Sequence, residues 1–211
     1  MLKSINKVIR FLIYSDFVLN SGWGLLAPIF AIFIVQKITI GDPIVGAKVA
    51  GFASLIYWIV KSILQIPIGR YLDKNHGEKD DFWFMTIGIF LTAFVPFGFL
   101  ISSKPWHIYA FHVLHAFGMA MVIPSWSAIF TRHIDKGKEA FEWSMRSTSL
   151  GFGIGLAGAV GGLLVGFFGF QIVFILVGIL TIISSLLLLL IRQDIIPKDH
   201  AFPFFPYFSP F

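Results

Sequence analysis

Six stretches of this chain, residues 10–36, 44–68, 82–102, 106–131, 147–168 and 171–191, are apolar almost without interruption and are joined by short polar connections. A bilayer core asks for about 20 mostly apolar residues per helical span. Backbone groups in lipid must bond among themselves, which leaves helices or a closed barrel, and the runs lack the period-2 alternation of barrel strands. The expectation is an all-α membrane protein with six transmembrane helices in one domain over residues 1–200. The composition agrees: 57% of residues are hydrophobic and 13% charged, against roughly 45–50% and 25% in soluble domains. Residues 201–211 form a tail rich in proline and phenylalanine, whose prolines exclude a helix.

The cations are distributed unevenly between alternate connections. Lys3, Lys7, Arg10, Arg70, Lys74, Lys79, Arg132, Lys136, Lys138, Arg146, Arg192 and Lys198 fall on one side, against Lys37, Lys48 and Lys104 on the other. By the positive-inside rule both termini are expected in the cytoplasm, with the protein in the plasma (inner) membrane. This bias accounts for the net charge of +5 without a nucleic-acid partner. The first apolar run is too long for the core of a signal peptide, and no small-residue cleavage site follows it. With no cysteine, the chain offers neither a disulfide nor a thiolate metal site.

Between the second and third spans lies a charged island, Gly69-Arg-Tyr-Leu-Asp73-Lys74-Asn-His-Gly77-Glu-Lys79. The order Gly-x-x-x-Asp-Lys with a glycine and a base close behind resembles the loop between helices two and three of the major facilitator superfamily. His76 stands as a one-residue insertion and Glu78 where a base is usual. The fourth span adds His112-Val-Leu-His115-Ala-Phe-Gly118 and Pro124, which keep the frame of that family's Arg, Gln-Gly, Gly and Pro with His112 in the arginine position. In the fifth, Gly155, Gly158, Gly161 and Gly162 look like its glycine-rich motif without the proline. The resemblance implies one half of the family's architecture, a bundle of three plus three helices. It also implies that Asp73 meets bases at the inner ends of neighbouring helices, with Arg146 the first candidate and Arg132 the second. Glu142 stands one turn before Arg146, at i and i+4. The glycines, several of them four apart, form a small-residue seam on which another helix can pack.

An ionisable group within a span costs about 2.5–3.5 kcal/mol on insertion scales and calls for a partner. Asp16 and Lys61 each lie roughly 9–11 Å from the same membrane surface at 1.5 Å per residue, so each can serve the other. Asp16 as a proton or cation site and a structural or interfacial Asp16 are the other readings. Ser54, Lys61 and Gln65 share one face of the second span, and with Asn20 they are cavity-lining candidates. His112 and His115, at i and i+3, titrate near neutrality and are chemically able to carry a proton. Spans one, two, four and five hold these groups and are expected to wall the cavity. Spans three and six carry only hydroxyls and are expected to lie at the lipid-facing periphery.

Taken with the resemblance, these residues point to a half-size secondary transporter of a small solute, working as a homodimer by alternating access, with a proton or cation as the possible coupling ion. A second reading is the amino-terminal half of a split carrier that needs a different six-helix half. A third is a six-helix interaction protein without transport. No protease, metalloprotease or phosphate-loop signature is present, so no enzyme and no cofactor are expected. The orientation is testable with single cysteines at Lys104 and Lys136 and an impermeant thiol reagent. Only Lys104→Cys should label in intact cells; labelling of Lys136→Cys would overturn the assignment.

Overall fold

A computed structural model describes residues 5–75 and 77–196. His76 and the tail at 201–211 lie outside the described residues. Eight helices follow one another: α1 (Lys7–Leu26), α2 (Phe30–Phe33, continued by a π-helical turn Ile34–Ile38), α3 (Pro43–Asn75), α4 (Glu78–Leu100), α5 (Pro105–His133), α6 (Glu139–Phe168), α7 (Phe170–Leu189) and α8 (Arg192–Ile195). There is no strand among the described residues. Five helices are long and apolar enough to cross a membrane, and α1 with α2 makes a sixth span bent by 43°. Pro28 lies at the bend; a proline lacks the N–H that would continue the helical ladder.

Local chemistry marks the helix ends. Asp42 precedes Pro43 and its Oδ1 accepts from the backbone N–H of Ile44 at 2.9 Å and of Val45 at 3.0 Å, an acidic N-cap with proline in the first turn. Asn6 caps α1 through Val8 N–H at 2.9 Å. Between α6 and α7 the chain reverses on one residue, Gly169, at φ +78°, a conformation that side chains with a Cβ disfavour.

α4 packs along α5, α1 along α6, α3 along α5, and α7 fills the space between α1 and α4. Two apolar clusters result. One, around Leu12, Phe82, Met85, Ile129 and Phe130, lies towards the end that carries the termini. The other, around Ile29, Phe33, Phe99, Phe174 and Val177, lies towards the opposite end. Helices hydrophobic all round pack by shape, and small residues decide where backbones approach. A Cβ on Gly88 would come within 2.7 Å of the Gly118 carbonyl, which fixes the α4–α5 contact.

Two expectations are corrected here. α4 and α7, the third and sixth spans, are the interior of the bundle rather than its periphery. In their most apolar windows 56% and 44% of residues are buried, against 17% in α3 and α6. The cause is their hydroxyls, which bond between helices. Ser15 Oγ donates to the Ser184 carbonyl at 2.9 Å, Ser184 Oγ to the Ser15 carbonyl at 2.7 Å, and Ser185 Oγ to the Thr86 carbonyl at 3.1 Å. The glycine seam of α6 is also narrower than expected. Gly161 packs against the Leu25 backbone and Gly158 only grazes α1, whereas Gly155 and Gly162 meet nothing within 4 Å. These adjacent glycines give a direct comparison. Gly161→Val should destabilise the helix bundle by about 1–3 kcal/mol, as overpacking does, while Gly162→Val leaves it unchanged, both read from thermal unfolding in detergent.

Candidate functional site

The bent first span, α3 and α5 enclose a cavity of about 280 Å³. Trp23, Phe30, Ser54, Tyr57, His112 and His115 line it, with Phe99 of α4 closing one side. Asn20, Ser54, Lys61 and Gln65 were the expected lining, and of these only Ser54 is among the wall residues. α6 contributes nothing to the wall, contrary to the expectation for the fifth span.

The walls are built by stacking. Trp23 lies flat on His115, with centroids 3.9 Å apart and planes 8° from parallel, and Tyr57 tilts onto the same imidazole at 4.9 Å. Phe30 and Phe99 each tilt onto His112 at 5.4 Å. His112 Nδ1 lies 2.9 Å from the Ile108 carbonyl oxygen. A carbonyl only accepts, so Nδ1 carries the proton; in the neutral ring Nε2 is then an acceptor. The histidines expected to share a face do so, as parts of one aromatic wall.

Lys61 stands one turn along α3 from Tyr57. Its side chain leans back towards the start of the helix, as helical side chains do, and Nζ sits 3.9 Å from the Trp58 ring centroid and 5.6 Å from that of Tyr57.

Lys61 does not meet Asp16. Asp16 Oδ2 accepts from Arg146 Nε at 2.8 Å, and Asn20 Nδ2 donates to Asp16 Oδ1 at 2.7 Å. The guanidinium lies 4.1 Å over the Trp126 ring and 5.8 Å from that of Trp143. Equal depth is not adjacency: α1 runs along α6, and α3 along α5. Arg146 is consequently unavailable to Asp73, its expected partner. It is equally separated from Glu142, whose Oε2 accepts from the Asp135 N–H at 3.3 Å and whose Oε1 is buried without a partner.

Asp73 instead faces Arg132, the second candidate base. The two line another cavity, of about 440 Å³, with Gly69, Pro124, Ser127 and Thr131. Arg132 pairs with the buried Asp81 and lies 4.0 Å from Glu78, which is 3.4 Å from His133. Lys74 is exposed, and Gly77 precedes the first turn of α4 in an extended conformation. Lys7 reaches Asp194 at 2.8 Å and Asn6 bonds the His133 carbonyl at 3.4 Å, so α1, α8 and both charged connections meet at one end of the bundle.

Sequence reasoning passed over Trp23, Tyr57, Phe30 and Phe99 because aromatics are common in lipid-facing helices. For two of them the signal was positional. Asp16, Asn20 and Trp23 follow at i, i+4 and i+7, and Tyr57 precedes Lys61 by four, so Trp23 and Tyr57 each share a face with a polar group; Phe30 and Phe99 carried no such signal.

A helical protein with five or six candidate spans and a solute-sized cavity among the first, second and fourth defines a class, that of polytopic membrane proteins. The sequence matches the Major Facilitator Superfamily over residues 12–206, and the chain belongs to that family. Its fold matches the in meso crystal structure of the POT family transporter PepTSo, with a TM-score of 0.75 at 19% identity. The match covers 92% of this chain and 40% of that one, so the chain spans less than half the length of that transporter. No curated protein matches the sequence.

Removing one partner of a buried pair leaves the other charge uncompensated. Asp16→Asn should lower stability by about 2–3 kcal/mol, less than the loss of about 3–5 for full burial, because the Arg146 side chain is 28% exposed. The double change Asp16→Asn with Arg146→Met should recover expression, and Asp16→Asn with Lys61→Met should not. Rescue by the second pair would restore Lys61 as the partner.

Proposed function

We propose that this chain is a half-size secondary carrier of a small solute, in which two copies rebuild a twelve-helix transporter that works by alternating access. The observation that carries the reading is the cavity of about 280 Å³ between the bent first span, α3 and α5, on a family whose members are transporters. Such a cavity lies just below the range of about 300–1,000 Å³ typical of small-molecule sites, as one wall of a shared site would.

The bare faces support a second copy. α3 and α6 are the least buried spans, and they are not simply greasy. Gly151, Gly155, Gly162 and Gly166, at spacings of four and seven, meet nothing within 4 Å among the described residues. A glycine stripe in a span is a surface for close helix packing. Fit to a second six-helix bundle explains this stripe, whereas contact with lipid tails does not. In this reading both termini are cytoplasmic, Asp73 and Arg132 form the gate at that mouth, and the Asp16–Arg146 pair ties α1 to α6 through the cycle.

Mass measurement in lipid nanodiscs tests the assembly, and uptake into proteoliposomes tests the activity. A dimer is expected, with Gly155→Cys or Gly162→Cys crosslinking between copies. A monomer that transports would overturn the dimer. A monomer that does neither would point to a different six-helix half as the partner.

A further inference from the structure

The charges around the cavity are one-sided. Among the described residues no carboxylate lines it. Asp16, the carboxylate within the first span, is engaged by Arg146 and Asn20. Lys61 is not itself a wall residue, but its ammonium, on a residue only 8% exposed, lies 5.6 Å from the ring of Tyr57, which is one, and its contacts are the Trp58 and Tyr57 rings. Among the described residues no carboxylate lies within ion-pair distance of it. A cation–π contact supplies about 0.5–2 kcal/mol and leaves at least one of the three ammonium donors free for an acceptor.

The aromatic faces carry the second half of the argument. An aromatic box without a cation would suit an ammonium ligand. Here Lys61 already stands over the Trp58 and Tyr57 rings. A cationic solute would enter beside an uncompensated cation and find no carboxylate. A flat anion finds the opposite: Phe30, Phe99 and Trp23 as apolar surface for its ring, the Ser54 hydroxyl as donor, and Lys61 as counter-ion.

We propose that the cavity takes small aromatic monocarboxylates, with the ring held among Trp23, Phe30 and Phe99 and the carboxylate directed to Lys61. This rests on reading the cavity as the solute site of a carrier, and it adds the solute's charge and shape.

The protein in phosphatidylcholine nanodiscs, with empty discs subtracted, is the material for equilibrium dialysis against labelled benzoate, benzamide and benzylamine. Benzoate should bind saturably, benzamide more weakly and benzylamine least. Lys61→Met should weaken benzoate by about tenfold to a hundredfold, the worth of one charge-assisted hydrogen bond, and leave benzamide unchanged. Lys61→Arg should retain benzoate. Lys61→Met orphans no partner and should fold; should it fail to assemble, the order of the three ligands on the unaltered protein decides.

No saturable benzoate binding, benzylamine binding as tight as benzoate, or a Lys61→Met that binds benzoate normally would each overturn the assignment. Flux in proteoliposomes separates this from the carrier reading. Lys61-dependent benzoate binding without flux upholds the ligand class and overturns the carrier. Flux of benzylamine in preference to benzoate overturns the ligand class and upholds the carrier.

Discussion

Hydrocarbon offers a polar group no hydrogen-bonding partner, and the polar contacts between helices in this chain answer that constraint. Asp16 and Arg146 lie 130 residues apart and meet at 2.8 Å. Ser15 and Ser184 exchange hydroxyl-to-carbonyl bonds, and Ser185 reaches the Thr86 carbonyl. Each bond joins α1 or α4 to a helix from the later part of the chain. Apolar packing alone leaves a bundle of greasy helices free to slide or rotate, since lipid tails are as apolar as leucine. The polar contacts remove that freedom and set which faces meet.

Such reasoning also separates what the sequence discloses from what it withholds. Span number and order follow from length and apolarity, and these are readable at once. So is the charged island at Gly69 to Lys79, and so is the shared face of His112 and His115. Neighbours are another matter. A helix that is apolar on every side has no stripe to show which face turns inward. Asp16 and Lys61 at equal depth therefore looked like natural partners, although α1 and α3 pack on different helices. Ser184 and Ser185 looked like unimportant hydroxyls, and their bonds to α1 and α4 are what draws α7 into the centre.

The glycines of α6 show the same limit. Their spacing marks a packing surface without saying against what. Gly153 and Gly161 lie against α1, and Gly151, Gly155, Gly162 and Gly166 lie on a face the chain itself leaves uncovered. One helix thus carries two seams, and only one is used within the chain. The division falls on alternate sides of the helix, as the spacing of four and seven requires.

Lys61 and Asp16 resolve the same electrostatic problem in opposite ways, and the difference bears on function. Asp16 is held by a cation and an amide, with Trp126 stacked on that cation, so its charge is neutralised inside the protein. Lys61 has only ring faces, which attract a cation without neutralising it. A bundle selected for stability alone gains from replacing such a lysine with methionine, because the ammonium is costly in a span and no other side chain depends on it. Its presence near a cavity lined by aromatic rings makes sense if the missing counter-ion arrives with the solute. The charge that folding leaves unpaired is then the one available to the ligand.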